Sequence, residues 1–220
     1  MSSAFVVGAT GAVGSQLVQL LGESKEFAKV VLLGRKNIET INNDKIIQKT
    51  VNFEKLEESS DDIKGFDVGF CALGTTRAKS GADGFYKVDH DYVLNSAKLA
   101  KDNGIKHFVL VSSGGANENS FFLYTKTKGQ VEKDIKELGF EKFTIMHPGM
   151  IETDRDEFRF AETAARILMK PLKLLPISLH TTPIQIAKAM IMATRKGGDG
   201  TEILENPRIN QEAISFDSNI

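Results

Sequence analysis

Three side chains in the middle of the chain have the types and spacing needed to reduce a carbonyl group. Tyr124 and Lys128 are four residues apart in a helix-forming segment, so both project from one face. The reaction needs a phenol that gives up its proton near neutral pH although the ordinary pKa of a phenol is about 10, and a nearby ammonium favours the phenolate. Ser113, eleven residues before Tyr124, offers a hydroxyl that can polarise the carbonyl. Ser112 is the alternative for that role.

A strand and a helix must position these residues. Residues 107–111 predict a buried strand that ends in the two serines, and residues 121–138 predict the helix that carries Tyr124 and Lys128. The Tyr-x-x-x-Lys pattern is weak by itself, because both residue types are common on helix surfaces. Its position after a strand that ends in serines is what favours a catalytic role.

The N-terminal segment predicts a binding site for a pyrophosphate. An apolar strand at residues 5–7 is followed by Gly8, Gly11 and Gly14, and residues 15–21 have helical spacing. Amides at a helix start are unpaired and carry the positive end of the helix dipole, so they attract phosphate. Glycines let the backbone approach the ligand closely. A close-packed turn without a ligand is the alternative interpretation.

The end of the second strand indicates which dinucleotide would bind. Residues 29–33 form an apolar strand at βαβ distance from the first, and Gly34 leads into Arg35 and Lys36. In dinucleotide-binding folds an acidic residue here bonds the free 2′-hydroxyl of NAD, whereas Arg accommodates a 2′-phosphate. We therefore predict NADP(H) as the cofactor. The alternative is that Arg35 is an ordinary solvated charge.

Strand and helix patterns alternate through the first 150 residues. This alternation predicts the α/β class, with a doubly wound, mostly parallel sheet of the Rossmann type in a single domain. We expect residues 1–150 to form the cofactor-binding core and residues 151–220 to supply a small helical substrate region or lid and the C-terminal segment. A strand at 66–73 opens into Gly74, Thr75 and Thr76, where the threonines either contact a ligand or cap a turn.

Composition and charge exclude several function classes. The length of 220 residues suits one domain, and a net charge of −1 gives no attraction to nucleic acid. Cys71 is the single cysteine, so no internal disulfide can form, and the histidines lack metal-ligand spacing. We predict no metal, no secretory leader and no membrane span. The expected location is cytoplasmic, with peripheral attachment to a membrane as the alternative.

Longer stretches resemble the atypical short-chain dehydrogenase/reductases, and more closely the Tat-interacting oxidoreductase family of the metastasis-suppressor type and its fungal relatives. The resemblance rests on the glycine loop, Ser113 and Tyr124-x-x-x-Lys128, on residues 69–77, 88–92 and 122–124, on Gly129, and on Pro148-Gly149 followed by Asp154-Arg155. It implies that NADPH is bound by Thr10, Gly11, Ala12, Val13, Arg35, Lys36, Leu73, Gly74, Tyr124, Lys128 and Arg155.

Two positions depart from the pattern that this resemblance implies. Asp89 stands where many dehydrogenases of the superfamily have Asn, which puts a proton-relay role in doubt. His147 stands before Pro148-Gly149, where family members often have Arg. We include His147 among the candidate cofactor contacts. The alternative is that it satisfies the end of a strand.

The sequence leaves two main functions open. The first is an NADPH-dependent reductase of a small carbonyl compound that the sequence does not identify. The second is a protein that senses NADPH and acts on a protein partner, as the resemblance and the short region after Gly149 suggest. A third interpretation places the apolar and basic residues of 164–175 on a membrane surface, with a pocket wall as its alternative.

Overall fold

The structure is a computed structural model that describes residues 1–152 and 180–218. Nine strands are found there: β1 (Ser2–Val7), β2 (Phe27–Gly34), β3 (Ile46–Thr50), β4 (Val68–Cys71), β5 (His107–Val111), β6 (Lys142–His147), β7 (Met150–Ile151), β8 (His180–Thr181) and β9 (Gly200–Glu205). Seven of them form one parallel sheet in the order β3-β2-β1-β4-β5-β6-β9, and β7 pairs with β8.

Helices connect these strands. The α-helices are α1 (Ala12–Glu23), α2 (Ser60–Ile63), α3 (Arg77–Tyr86), α4 (Val93–Asp102), α5 (Leu123–Glu137), α6 (Pro183–Arg195) and α7 (Asn206–Asp217). A 3₁₀ helix spans Phe53–Ser59, and a π-helical turn spans Lys87–Tyr92. Helix α6 begins at the Thr182-Pro183 pair, where the Thr182 side chain and Gln185 form a capping box.

Helices cover both faces of the sheet, as the alternating sequence pattern predicts. Ala4 and Val6 of β1 belong to the apolar cluster that includes α1 and α6. Phe5 and Val7 point the other way, into the cluster that includes α4 and α5. A strand buried on both faces must be apolar throughout, which is why β1 has no charged residue. The predicted doubly wound Rossmann-type fold is confirmed.

Strand β1 lies between β2 and β4, so the strand order reverses at β1. Ligands of open parallel sheets bind outside the carboxyl ends of the strands at this kind of reversal. The loops after β1, β4 and β5 therefore meet along the edge where the sequence predicts the cofactor and the reacting side chains.

The C-terminal part of the chain differs from the expected small substrate region. Helix α6 packs against α1, and β9 extends the main sheet beside β6. Strand β9 escaped sequence reasoning because it is an edge strand with only one buried face: Leu204 is buried, whereas Ile203 is 49% exposed. Residues 183–205 thus complete the core that the sequence places in residues 1–150. Residues 153–179, which include the predicted Arg155 contact and the stripe at 164–175, lie outside the described residues.

The segment after β4 is also more helical than its composition suggests. Residues 77–84 are polar and contain two glycines, a pattern typical of a loop, but they form most of α3, which is kinked at Gly81 with a positive φ of 71°. The π-helical turn at Lys87–Tyr92 follows α3 directly. This turn carries Asp89 into the interior, where it is 1% exposed.

Candidate active site

The glycine loop after β1 is shaped by close backbone contacts. Gly8 has a positive φ of 86°, and a Cβ on it would lie 2.4 Å from the carbonyl carbon of Ala72 at the end of β4. A Cβ on Gly14 would lie 2.1 Å from the Gly8 oxygen. The loop closes through a hydrogen bond from the Gly11 amide to the Gly8 carbonyl, at 3.0 Å. Larger residues at Gly8 or Gly14 would separate α1 from β1 and β4.

The start of α1 fits a pyrophosphate. Gly11 is the N-cap, no side chain caps the helix, and its first turn holds no acidic residue. The amides of Ala12 and Val13 thus lie at the positive end of the helix dipole without a side-chain acceptor. Thr10 is exposed beside them. These observations support a dinucleotide in the loop, and they would be unnecessary for a turn that served packing alone.

The end of β4 completes the same crevice. The backbone of Ala72 and Leu73 lies against Gly8, so Leu73 and Gly74 adjoin the glycine loop. The Thr75 amide donates to Asp89 Oδ2 at 2.8 Å, and Thr76 is the N-cap of α3 without a side-chain hydrogen bond. Both threonines therefore help to shape the turn, and their hydroxyls remain near the crevice.

Arg35 and Lys36 follow β2 at the same edge of the sheet, and both are exposed. Glu54, just after the neighbouring strand β3, pairs with Lys87 Nζ at 2.5 Å and accepts the Tyr92 hydroxyl at 2.5 Å. The charge of Lys87 thus balances that of Glu54, and the Tyr92 hydroxyl takes up a second interaction of the carboxylate. Arg35 and Lys36 remain as two exposed positive charges at the end of β2.

The central feature is a buried ion pair at the start of α5. Lys128 is 5% exposed, and its Nζ lies 2.8 Å from Asp89 Oδ1. Burial opposes the charged form of Lys128, but the Asp89 carboxylate, together with Tyr124, raises the pKa of Lys128 above its ordinary value. Tyr124, one turn earlier, is 48% exposed. The arrangement fixes a cation beneath an accessible phenol.

The structure gives Asp89 a structural role, whereas its sequence position had put a proton-relay role in doubt. Its two carboxylate oxygens join Lys128 of α5 to the Thr75 amide at the end of β4. The carboxylate is thus a link between the helix that carries Tyr124 and the crevice. Cys71 lies nearby and is buried, which raises the pKa of its thiol to about 12 and leaves it unreactive.

Gly129, next to Lys128, lets the preceding loop pack on α5. A Cβ at this position would lie 2.2 Å from the Glu118 backbone nitrogen. The Asn117 amide also donates to the Thr125 carbonyl at 2.9 Å. These contacts hold the loop between β5 and α5 against the helix, and so they fix Tyr124 relative to the serines at the end of β5.

The two serines have different environments. The Ser112 hydroxyl is buried and donates to the Glu132 carboxylate. Ser113 is half-buried, and its hydroxyl donates to the Gly114 carbonyl at 3.2 Å, close to the outer limit for such a bond. Of the two alternatives, Ser113 is therefore the one whose hydroxyl is free to turn toward a substrate.

His147, at the carboxyl end of β6, is buried between two carboxylates. It is 7% exposed, with Nε2 2.9 Å from Glu132 Oε1 and Nδ1 3.1 Å from Glu205 Oε1. Burial opposes the imidazolium, but Glu132 and then Glu205 raise the pKa of His147 above its ordinary value. With both ring nitrogens engaged, the structure supports the alternative that His147 satisfies the strand end.

Sequence reasoning missed Glu132 and Glu205. Glu132 lies four residues after Lys128, so Tyr124, Lys128 and Glu132 follow one another along the same face of α5. That spacing is a signal that could have found Glu132. No local pattern could have found Glu205, because it reaches His147 only through the pairing of β9 with β6.

The glycine loop, the strand reversal and the Tyr–Lys helix define an NAD(P)-binding protein with the fold of the oxidoreductases. A family model described as NAD(P)H-binding matches residues 8–170. Protein HTATIP2 of Rattus norvegicus is 44% identical over 214 residues, which cover 94% of this chain and 87% of that protein. Protein FMP52, mitochondrial, of Candida albicans is 43% identical over 160 residues, which cover 70% of this chain and 69% of that protein.

The chain therefore belongs to the NAD(P)H-binding family that includes HTATIP2 and FMP52, and the resemblance seen in the sequence is confirmed. The oxidoreductase ylbE from Lactococcus lactis has the same fold, with a TM-score of 0.71, 16% identity, and coverage of 98% of this chain and 97% of that one. MoeE5 in complex with UDP-glucuronic acid and NAD gives a TM-score of 0.70 at 15% identity, covering 93% of this chain and 76% of that one.

The comparison corrects the expected location. Fungal relatives carry the name mitochondrial, among them the protein from Meyerozyma guilliermondii, which is 33% identical over 98% of this chain and 97% of that protein. These relatives contradict the cytoplasmic location expected from the sequence. The expectation was wrong because amino-acid composition does not specify a cellular compartment. Within residues 1–152 and 180–218, no helix has the length and apolar character needed to cross a bilayer.

Proposed function

We propose that the protein is an NADP(H)-dependent oxidoreductase that reduces a carbonyl compound. Tyr124 is the proton donor, Lys128 is the cation beside it, and Ser113 polarises the carbonyl oxygen. The observation that carries this proposal is the buried Lys128–Asp89 pair, one helical turn from Tyr124 and linked through Thr75 to the crevice beside the glycine loop.

NADPH, when bound, supplies the hydride that reaches the carbonyl carbon. Tyr124 gives a proton to the carbonyl oxygen, so that the carbonyl gains a hydride and a proton and becomes an alcohol. Lys128 stays protonated and stabilises the phenolate left on Tyr124. The Ser113 hydroxyl donates to the same carbonyl oxygen and orients it.

Replacing Tyr124 tests this assignment. We expect Tyr124→Phe to lower turnover of a reducible aldehyde by about 10²- to 10⁴-fold, because general acid catalysis is lost. The affinity for NADPH, measured by titration calorimetry, should stay within about twofold. Tyr86→Phe is the matched control, since Tyr86 packs on His90 on another surface of the molecule. Undiminished turnover by Tyr124→Phe would remove Tyr124 from the mechanism.

The preference for NADP(H) over NAD(H) rests on Arg35 and Lys36, with Glu54 neutralised nearby. We expect Arg35→Ala to weaken NADPH binding about 10- to 100-fold, the effect of losing a hydrogen bond to a charged partner, while NADH affinity hardly changes. Lys25→Ala removes an exposed charge just before the start of β2 and serves as the control. If Arg35→Ala lost affinity for NADPH and NADH equally, Arg35 would not be the residue that recognises the 2′-phosphate.

The second candidate is an NADPH sensor that acts through a protein partner. It is favoured by Phe121, which is fully exposed just before the helix that carries Lys128. Turnover separates the two candidates, and hydrogen exchange of residues 114–125 shows whether NADPH changes this surface. A sensor would show NADPH-dependent protection of these residues but no reduction of any aldehyde by wild type, whereas a reductase would reduce an aldehyde.

A further inference from the structure

An apolar cavity of about 300 Å³ lies beside Tyr124, between the turn after β4 and the start of α5. We call it the aromatic cavity. Its walls include Phe85, Phe122, Leu123 and Tyr124, and its one charged lining residue is Arg77. A volume of this size is at the lower end of the range for ligand sites, which suits a compact molecule.

Three aromatic rings line the aromatic cavity. Phe85 is buried, and its ring lies 5.7 Å from that of Tyr124 at an interplanar angle of 30°. Phe122 is 68% exposed, although it is a large apolar side chain. A flat apolar molecule between Phe122 and Tyr124 would cover surface that both rings leave to water, and it would stack on them.

The charge at the edge of the cavity limits the ligand further. Arg77, the first residue of α3, is exposed and forms no ion pair with the residues in 1–152 and 180–218. A guanidinium in this position recognises a carboxylate through paired hydrogen bonds. The hydroxyls and apolar rings around it provide no second charge that would compete.

We propose that the aromatic cavity binds a flat aromatic aldehyde or ketone that carries a carboxylate, with the ring between Phe122 and Tyr124 and the carboxylate on Arg77. This substrate class rests on the proposed reductase function, because it places the carbonyl beside the Tyr124 hydroxyl. The binding half of the proposal does not depend on turnover.

Binding of 2-naphthoate, which cannot be reduced at a carbonyl under these conditions, tests the cavity itself. Titration calorimetry is done on protein saturated with NADP⁺. We expect Phe122→Ala to weaken binding about 5- to 20-fold through loss of apolar contact. Phe121→Ala is the matched control, because Phe121 is a fully exposed neighbour outside the lining. Arg77→Gln should weaken binding of 2-naphthoate but leave 2-naphthamide unchanged.

Two outcomes would overturn the proposal: no binding of 2-naphthoate to wild type, or equal effects of Phe122→Ala and Phe121→Ala. Turnover separates the substrate class from the proposed function. We expect 6-formyl-2-naphthoate to be reduced at least tenfold more efficiently than glyceraldehyde. Equal reduction of both aldehydes would reject the proposed substrate class but not the reductase function. Tight binding of 2-naphthoate without reduction of either aldehyde would reject the reductase function but not ligand binding in the aromatic cavity.

Discussion

Two buried charge clusters follow one another along a single face of α5, and they differ in how they hold a positive charge. At Lys128 the cation faces one buried carboxylate, Asp89, one helical turn after Tyr124. One turn later along α5, Glu132 holds His147, whose other ring nitrogen faces Glu205. Both pKa values are raised by their carboxylates. Lys128 therefore stays charged throughout the neutral range, whereas His147 loses its charge at some pH above its ordinary pKa of about 6.5.

This difference separates a permanent cation from a conditional one. The Lys128 pair keeps its charges beside Tyr124 throughout the neutral range. The His147 cluster joins the ends of β5, β6 and β9 through Glu132 of α5, and the imidazole can donate to both Glu132 and Glu205 only when it is protonated. The first cluster thus holds a constant charge, and the second makes the bonding between these strand ends depend on pH.

Removing the carboxylate of Asp89 should have the largest effect on stability. Asp89→Asn leaves Lys128 buried without a charged partner, and we expect the free energy of unfolding to fall by about 3–5 kcal/mol. Urea denaturation measures this loss. The double variant with Lys128→Met should recover much of it, because an apolar side chain no longer needs the carboxylate. If Asp89→Asn alone were as stable as wild type, the Lys128–Asp89 pair would not be effectively buried.

The pH dependence of stability should distinguish the two clusters. The folded pKa of His147 is raised, so its contribution is complete below the ordinary value of about 6.5 and is lost as pH rises through the folded pKa. We expect the free energy of unfolding to fall over that rise, because between the two pKa values the folded protein binds more protons than the unfolded chain. Denaturant titrations from pH 6 to 9 measure it.

His147→Gln should remove that slope, and His107→Gln, which changes a histidine of the same sheet, should keep it. His107 does not contribute in this window, because burial lowers its pKa to about 4. Lys128 does not contribute either, since its raised pKa lies above the window. A slope that survives in His147→Gln would assign the pH dependence to other groups.

The serines should give the smallest effect on stability and the clearest division of roles. Ser112→Ala removes one hydrogen bond to Glu132 and should lower the free energy of unfolding by about 1.5 kcal/mol, the low end for a bond to a charged group, because Glu132 keeps its bond to His147. Ser113→Ala should leave the melting temperature nearly unchanged but lower turnover of an aldehyde. The opposite pattern, with turnover lost only in Ser112→Ala, would exchange the two assignments.

Much of the fold could be predicted from the sequence because its signals are local. Apolar runs mark the buried parallel strands, and glycines at 8, 11 and 14 mark the loop whose close contacts exclude a Cβ at Gly8 and Gly14. The edge strand β9 was missed because half of it faces water. The helix at 77–86 was missed because Gly81 interrupts its pattern.

The sequence by itself determined the doubly wound fold, the glycine loop, and the shared face of Tyr124 and Lys128, since each depends on residues close together in the chain. Only the tertiary structure decided that Asp89 is the partner of Lys128, that Ser112 is engaged by Glu132 while Ser113 stays available, and that His147 lies between Glu132 and Glu205. These pairings join residues from different strands and helices. They form only when the sheet brings the carboxyl ends of those strands together, and no local pattern encodes them.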